Sequence, residues 1–521
     1  MKTLRILTAL ALVLPAPALA GPPIDPAKVE ATGARAMGEL ELIGLTVAVV
    51  DKDGTVIERQ FGLRELGKPE TIDADTLWPI ESLTKAFTAA SLALLVERGK
   101  VHWEDPLVQY MPEFDLGDPW VTAHFTVRDL LTHRSGLSLG AGDLLLSPAE
   151  GSTPADIIAS LKAIPPATGF REKYAYDNVL YVLAGDLVRR IDGRKWEDFV
   201  RQELFAPLGM SRCTAMASER LTKSNRITEH APFPGSDGHE VLNPKMILND
   251  SFYSAGSIGC PVGDMAKWAR MWLNNGAIDA DHQLLSKESV KELWTLVTPT
   301  GTSIPFDETK QKHLSGYALG WFVGDMLGRV VASHSGGSFG ATSYLMIAPE
   351  EGVATIAMTN TYSSGASSVA QQLMQDMLVA RPLPSHDYIA DAAKRWTEQQ
   401  SNVSAIEDSV APPKGAKAPP VALAGFTGTF RDPWFGEATV SQRDGKLWLD
   451  LPHGDMLDGP LNPYDGTRFS ALWPERRLMA DAFVDFIVED GKVTGFTMLP
   501  VSKETDFSWD FKDLRFVRSG D

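Results

Sequence analysis

The stretch Ser82-Leu-Thr-Lys-Ala-Phe-Thr-Ala-Ala-Ser-Leu-Ala-Leu-Leu-Val96 decides the fold. Its pattern predicts a helix from about Glu81 to Arg98, with Gly99 placed to stop it. Ser82 and Lys85 stand at i and i+3, so the hydroxyl and the amine share one face. A serine is a poor nucleophile until a base takes its proton. A lysine is such a base only where burial or nearby cations lower its pKa from about 10.4. Ser-x-x-Lys alone also fits an exposed helix and is a weak signal. Here, however, the segment from Ala86 to Val96 is almost wholly apolar, which predicts a buried helix with the lysine at its start.

Two later motifs belong with it. Tyr176-Asp177-Asn178 precedes an apolar helix over Val179–Leu187. A tyrosine beside lysine ammoniums can take on phenolate character and shuttle protons. The asparagine offers a donor and an acceptor, for the lysine and for a substrate amide. His334-Ser335-Gly336-Gly337 lies between two predicted strands. Its glycines let a substrate approach the strand edge, and the N–H groups of Gly337 and Ser82 could bind an oxyanion. Taken singly, the triplet reads as a capping Asn beside a packed Tyr, and the Gly-Gly as a turn.

In this order the three motifs resemble those of the serine β-lactamase and penicillin-recognising superfamily, over about Leu40 to Leu378. Supporting stretches are Phe125-Thr-Val-Arg-Asp-Leu-Leu-Thr-His-Arg-Ser-Gly-Leu137, Ser254-Ala-Gly-Ser-Ile-Gly and Asp264-Met-Ala-Lys-Trp. The resemblance implies an α+β fold, an antiparallel sheet flanked by helices with an all-helical subdomain, and a site between them. It implies catalytic Ser82, Lys85 and Tyr176, and substrate-binding Asn178, His334, Gly336 and Gly337. His133 is read as structural. The lactamases and transpeptidases carry Lys-Thr-Gly where this chain has His334-Ser335-Gly336, and His-x-Gly looks more like the esterases and D-aminopeptidases. Histidine is the weaker anion anchor near pH 7 and is expected to gain charge toward about pH 6. Asp177 also stands where many relatives have a small residue; it either disfavours anionic substrates or points away.

Outward from the motifs, Leu45–Leu63 reads as a hairpin turning at Asp53-Gly54. Strands return over Tyr317–Val323, Arg329–Ser333, Thr342–Ala348 and Val353–Thr359. One sheet built from both ends of the domain is therefore expected. The expected divisions are a leader over 1–20, the hydrolase domain over 21–385, and a helical and Pro-rich linker over 386–420. A small all-β barrel over 421–521 completes the chain, with seven alternating runs between Gly425 and Val517 and turns at Asp444-Gly445 and Asp490-Gly491. It resembles the lipocalin-like barrels that follow such catalytic domains, which border the cleft or mediate a homo-oligomer.

The leader is read from Lys2 and Arg5, the apolar run Ile6–Leu14, and Ala18-Leu19-Ala20. The run is too short to span a bilayer, and the expected location is periplasmic or secreted. The 521 residues carry a formal net charge of −18 at pH 7, which disfavours nucleic acid and anionic membrane as partners. The expected partner is a small-molecule or short-peptide substrate. No Cys/His cluster or His-Glu-x-x-His helix occurs, so neither a metal nor another cofactor is expected. A large core does not need a disulfide, and the expectation for Cys213 and Cys260 is two separate buried thiols. Three functions fit: a peptidase or amidohydrolase on short or D-residue-containing peptides, a carboxylesterase of small acyl esters, or a catalytically silent penicillin-binding protein. The intact Ser82, Lys85 and Tyr176 set disfavours the last.

Overall fold

A computed structural model describes residues 25–147, 152–236, 238–243, 246, 249–307, 312–378, 386–452 and 454–520. The expected leader lies outside these residues, as do residues 379–385. Eight strands form one antiparallel sheet: β1 (Gly44–Asp51), β2 (Val56–Gly62), β3 (Thr298–Asp307), β4 (Lys312–Tyr317), β5 (Phe322–Met326), β6 (Arg329–Gly337), β7 (Thr342–Ala348) and β8 (Val353–Thr359). Their spatial order is β2-β1-β8-β7-β6-β5-β4-β3. The early hairpin thus joins the late strands through β1 and β8, with Leu45 opposite Thr359 and Asp51 opposite Val353.

The main helices are α1 (Pro26–Glu39), α2 (Thr84–Glu97), α3 (Asn178–Asp192), α4 (Val262–Leu273), α5 (Gly365–Leu378) and α6 (Tyr388–Ser404). Because helices cover both sheet faces, β1 is apolar on both. Leu45, Val47 and Val49 pack in the core formed with α1 and α5, while Ala48 and Val50 enter the core shared with α2 and α4. Helix α2 is buried from Thr84 through Leu95, as its apolar run predicts. Gly99, at φ 64°, ends it.

The barrel closes with eight strands, β9 (Gly428–Asp432), β10 (Gly436–Arg443), β11 (Lys446–Asp450), β12 (Asp458–Asp465), β13 (Arg468–Ala471), β14 (Ala482–Glu489), β15 (Lys492–Pro500) and β16 (Arg515–Arg518). The seven runs read from sequence omit β12. That strand contains Pro460 and Pro463, which lack the N–H a strand ladder uses, and its register shifts between Pro463 and Asp465. Phe430, Phe469, Phe486 and Phe496 are buried together, with ring centroids 5.1–5.5 Å apart for Phe430–Phe496, Phe469–Phe486 and Phe486–Phe496.

Cys213 and Cys260 form a disulfide, contrary to the expectation of separate thiols. Thr214 and Gly259 exchange backbone hydrogen bonds at 2.8 and 3.0 Å. The flanking residues 213 and 260 therefore face each other as a close, non-hydrogen-bonded antiparallel pair, 4.3 Å apart at Cα. Sequence patterning could not reveal so short a pairing between distant segments.

Candidate active site

Ser82 sits in a 3-10 turn, Glu81–Leu83, that leads into α2. The fully buried Lys85 lies one turn further on. Lys85 Nζ donates to Ser82 Oγ at 2.9 Å, to Asn178 Oδ1 at 2.7 Å and to the Ala255 carbonyl at 2.9 Å. These three acceptors match the three donors of an ammonium. The amine also lies 4.8 Å from the Tyr176 ring centroid and 5.3 Å from that of Tyr181. Burial pulls Lys85 down to about 7, against the opposing pull of Asp143 and Glu81. Near neutral pH the pocket therefore holds a large fraction of free amine beside the serine hydroxyl.

Tyr176 enters from the loop ahead of α3, and its phenol lies beside the Ser82 side chain in the same cavity. Burial pushes the phenol well above its ordinary value. Tyr176 is thus a neutral proton donor, in place of the phenolate considered from sequence. Its ring packs at 4.1 Å on His133, whose Nδ1 accepts from the Asp177 N–H at 3.0 Å. His133 is structural, as read. Asp177 points away from the cavity into buried space, where it accepts from Ser135 Oγ at 2.7 Å.

Asn178 opens α3 and holds the lysine as expected. Its amide nitrogen donates one N–H to Asp143 Oδ2 at 2.7 Å, a bond that does not use the second N–H of that nitrogen. The expectation for His334 needs correction. Alternation along β6 turns its ring inward, 1% exposed, with Nε2 2.9 Å from the Tyr317 hydroxyl and Nδ1 2.6 Å from the Ser335 carbonyl. Burial pulls it down to about 3. It therefore stays neutral at pH 6 and does not reach the cavity as an anion anchor. Gly336 is required by packing: a Cβ there would lie 2.2 Å from the Ile80 carbonyl oxygen. Gly337 faces open space. Strand β5 pairs with β6 only as far as Phe322 opposite Ser333, whereas β7 continues to Gly337 opposite Thr342. The last four residues of β6 thus keep one edge free of β5, beside the serine.

A cavity of about 420 Å³ brings together Ser82, Tyr174, Tyr176, residues 335–338, Thr342, Asp506 and Phe507. The last two belong to the loop between β15 and β16, so the barrel borders the cleft. This loop is tied in by further bonds. Asp510 accepts from the backbone N–H of Gly142 at 2.7 Å and of Leu144 at 3.3 Å. Ser508 Oγ donates to Asp143 at 2.8 Å, and Ser138 donates to Asp513. Asp143, pushed up to about 7 by burial, is the main site residue that sequence reading missed. Its partners lie 35 and 365 residues away, beyond any local spacing.

A family model described as Beta-lactamase matches residues 29–376, and one described as Domain of unknown function (DUF3471) matches residues 412–518. Unguisins hydrolase ungD of Aspergillus violaceofuscus is 26% identical over 433 residues, 78% of this chain and 75% of that protein. Among solved structures, the octameric penicillin-binding protein homologue from Pyrococcus abyssi is similar with a TM-score of 0.59 at 20% identity, covering 95% of this chain and 100% of that one. The D-amino acid amidase from Ochrobactrum anthropi SV3 gives a TM-score of 0.53 at 20% identity over 70% of this chain and 99% of its own.

Proposed function

The chain belongs to the Beta-lactamase family, and from that premise we propose an exported serine hydrolase that cleaves amide bonds of short or D-residue-containing peptides through an acyl-enzyme on Ser82. The observation that carries the reading is the 2.9 Å contact between Lys85 Nζ and Ser82 Oγ in a fully buried setting. Free Lys85 amine takes the hydroxyl proton as Oγ attacks the substrate carbonyl carbon. The N–H groups of Ser82 and Gly337 receive the oxyanion. The neutral Tyr176 phenol gives its proton to the departing amine, and the Lys85 ammonium restores the phenol. Water then attacks the acyl-enzyme; Lys85 accepts its proton and returns it to Oγ as the acid leaves.

The peptide preference draws support from the name of the Aspergillus relative, a hydrolase of unguisins, and from the amidase named among the structures. A substrate laid along the free edge of β6 would gain backbone hydrogen bonds there. The Lys2–Ala20 pattern supports export to the periplasm or beyond, and the octameric homologue makes a homo-oligomer worth measuring. The deciding experiment compares L- and D-aminoacyl anilides and linear peptides with p-nitrophenyl acyl esters. Turnover of the esters alone would replace this reading by a carboxylesterase; acylation without turnover would replace it by a penicillin-binding protein.

A further inference from the structure

Glu81 immediately precedes Ser82, is fully buried, and has φ of 50°, a conformation that residues with a Cβ seldom adopt. The turn is clamped from both sides. Ile80 N–H donates to the Ile258 carbonyl at 2.9 Å, and Ser343 Oγ donates to the Ile80 carbonyl at 2.8 Å. Gly336 packs so closely that a Cβ there would lie 2.8 Å from the Glu81 Cβ.

Neither oxygen of the Glu81 carboxyl meets a donor in hydrogen-bond geometry. It faces Glu229, Arg220, Lys85 and the Ser338 hydroxyl. Glu229 and Arg220 are also buried, with Arg220 Nη1 3.7 Å from Glu229 Oε1. Ser338 Oγ donates to Glu229 Oε2 at 2.8 Å, and Arg226 also acts on Glu229. Arg220 is thus a fully buried guanidinium shared by two buried carboxyls, with Arg226 acting on Glu229 and Lys85 on Glu81. Glu229 has a hydrogen-bond donor and Glu81 has none, so a negative charge on Glu81 is the one left without a hydrogen-bonded partner. Ser338 in turn lines the cavity that holds Ser82.

We propose that Glu81 is a positioning residue whose carboxyl must keep its proton: neutral, it holds the left-handed turn that presents Ser82, and ionised, it displaces that turn and the Ser338 wall. The proposal rests on Ser82 being the nucleophile. Burial and the charge of Glu229 push Glu81 up to about 8, so the loss belongs on the alkaline side, where Tyr176 is still a phenol.

The test is the rate of fluorophosphonate labelling of Ser82, read by intact mass at about pH 7.5 and about pH 9.5. The native rate is expected to fall on the order of twentyfold across that interval. Glu81→Gln has no carboxyl to ionise at the turn, so its ratio of the two rates should stay within about twofold. Glu229→Gln removes one of the causes that raise Glu81 but leaves its burial, so the alkaline fall should persist there and move to lower pH. If Glu81→Gln fails to fold, that shift gives the answer alone. A native rate that does not fall overturns the proposal, and so does a fall that persists in folded Glu81→Gln or one that Glu229→Gln leaves in place or moves to higher pH. Label found elsewhere than on Ser82 overturns the nucleophile assignment and this proposal with it; failure of Glu81 alone leaves Ser82 labelled.

Discussion

The hydroxyl of Ser508, in the barrel, lies 2.8 Å from Oδ2 of Asp143, the same oxygen that accepts the Asn178 amide at 2.7 Å. Asn178 in turn holds Lys85 at 2.7 Å, so the barrel is connected to the lysine through two side chains. The Pro-rich connector over 411–420 is largely exposed and invites truncation as a simple domain boundary. The bonds of the 501–514 loop predict otherwise. A chain ending at Pro420 should lose at least about a hundredfold in kcat/KM, because Asp143, Gly142 and Leu144 lose their barrel partners together. Circular dichroism and thermal melting of the truncated protein check whether it folds. Activity within about threefold of the full chain would show that the loop merely rests on the site.

Ser82→Ala and Lys85→Ala should each reduce hydrolysis by at least about a thousandfold, and the double variant by little more, since the two act as one unit. Lys85→Ala also removes a buried charge with three partners, so its thermal stability must be compared alongside. A fluorophosphonate should add mass to Ser82 and to no other residue. Hydrolysis by Ser82→Ala within about tenfold of native would remove Ser82 from the mechanism.

The acid limb of the rate profile should reflect Lys85. The base works as the free amine, so activity is full above the lysine pKa and falls about tenfold per unit below it. With Lys85 pulled down to about 7, the midpoint is expected near 7. The negative charge of Asp143 raises Lys85; Asp143→Asn should therefore move the midpoint toward lower pH. Because Asp143 is itself pushed up to about 7, the native profile reports the pair and not one residue. A midpoint that Asp143→Asn moves to higher pH would exclude Lys85 as its source.

Which of these features the sequence discloses depends on the range of the interaction. Ser82 and Lys85 are legible because a helix brings i and i+3 together, and an unbroken apolar run marks the helix as buried. The hairpin and the strands over Arg329–Ser333, Thr342–Ala348 and Val353–Thr359 are legible through their alternation and turns. The expected strand Tyr317–Val323 is not one strand: residues 318–321 form the turn between β4 and β5, where the Ala318 N–H donates to the Trp321 carbonyl at 2.8 Å, and β3 has no counterpart among the expected runs. Side-chain direction is not legible. Nothing local distinguishes a histidine facing the cavity from His334 bonded to Tyr317 beneath the strand. Asp143 is equally silent, since its partners come from α3 and from the barrel. The Cys213–Cys260 pair was misread for the same reason: the bridge of Thr214 to Gly259 that sets it up spans only one residue pair.

The protein should be a poor β-lactamase, for a reason the structure changes. A penicillin carboxylate needs a cation in the cleft. The lysine that serves it in the lactamases is replaced here by His334, which is buried, neutral and outside the cavity lining. Among the described lining residues the ionisable side chains are tyrosines and Asp506, whose carboxyl is raised by burial; it supplies no cation and, when ionised, repels such a substrate. Losing a cation opposite a partly desolvated carboxylate costs about 2–5 kcal/mol, or at least about thirtyfold in kcat/KM. Because His334 titrates near 3, acidification to about pH 6 should bring no recovery, and the ratio of nitrocefin to neutral-ester turnover should stay flat between about pH 6 and 8. His334→Lys should not create an anchor either, since that side chain points beneath the strand toward Tyr317. The informative variant is Asp506→Asn, which removes the repulsion and should raise nitrocefin acylation relative to ester turnover by several-fold, about 1 kcal/mol. Nitrocefin turnover by the native protein at the rate of its best amide or ester substrate would show that anion recognition comes from elsewhere in the cleft.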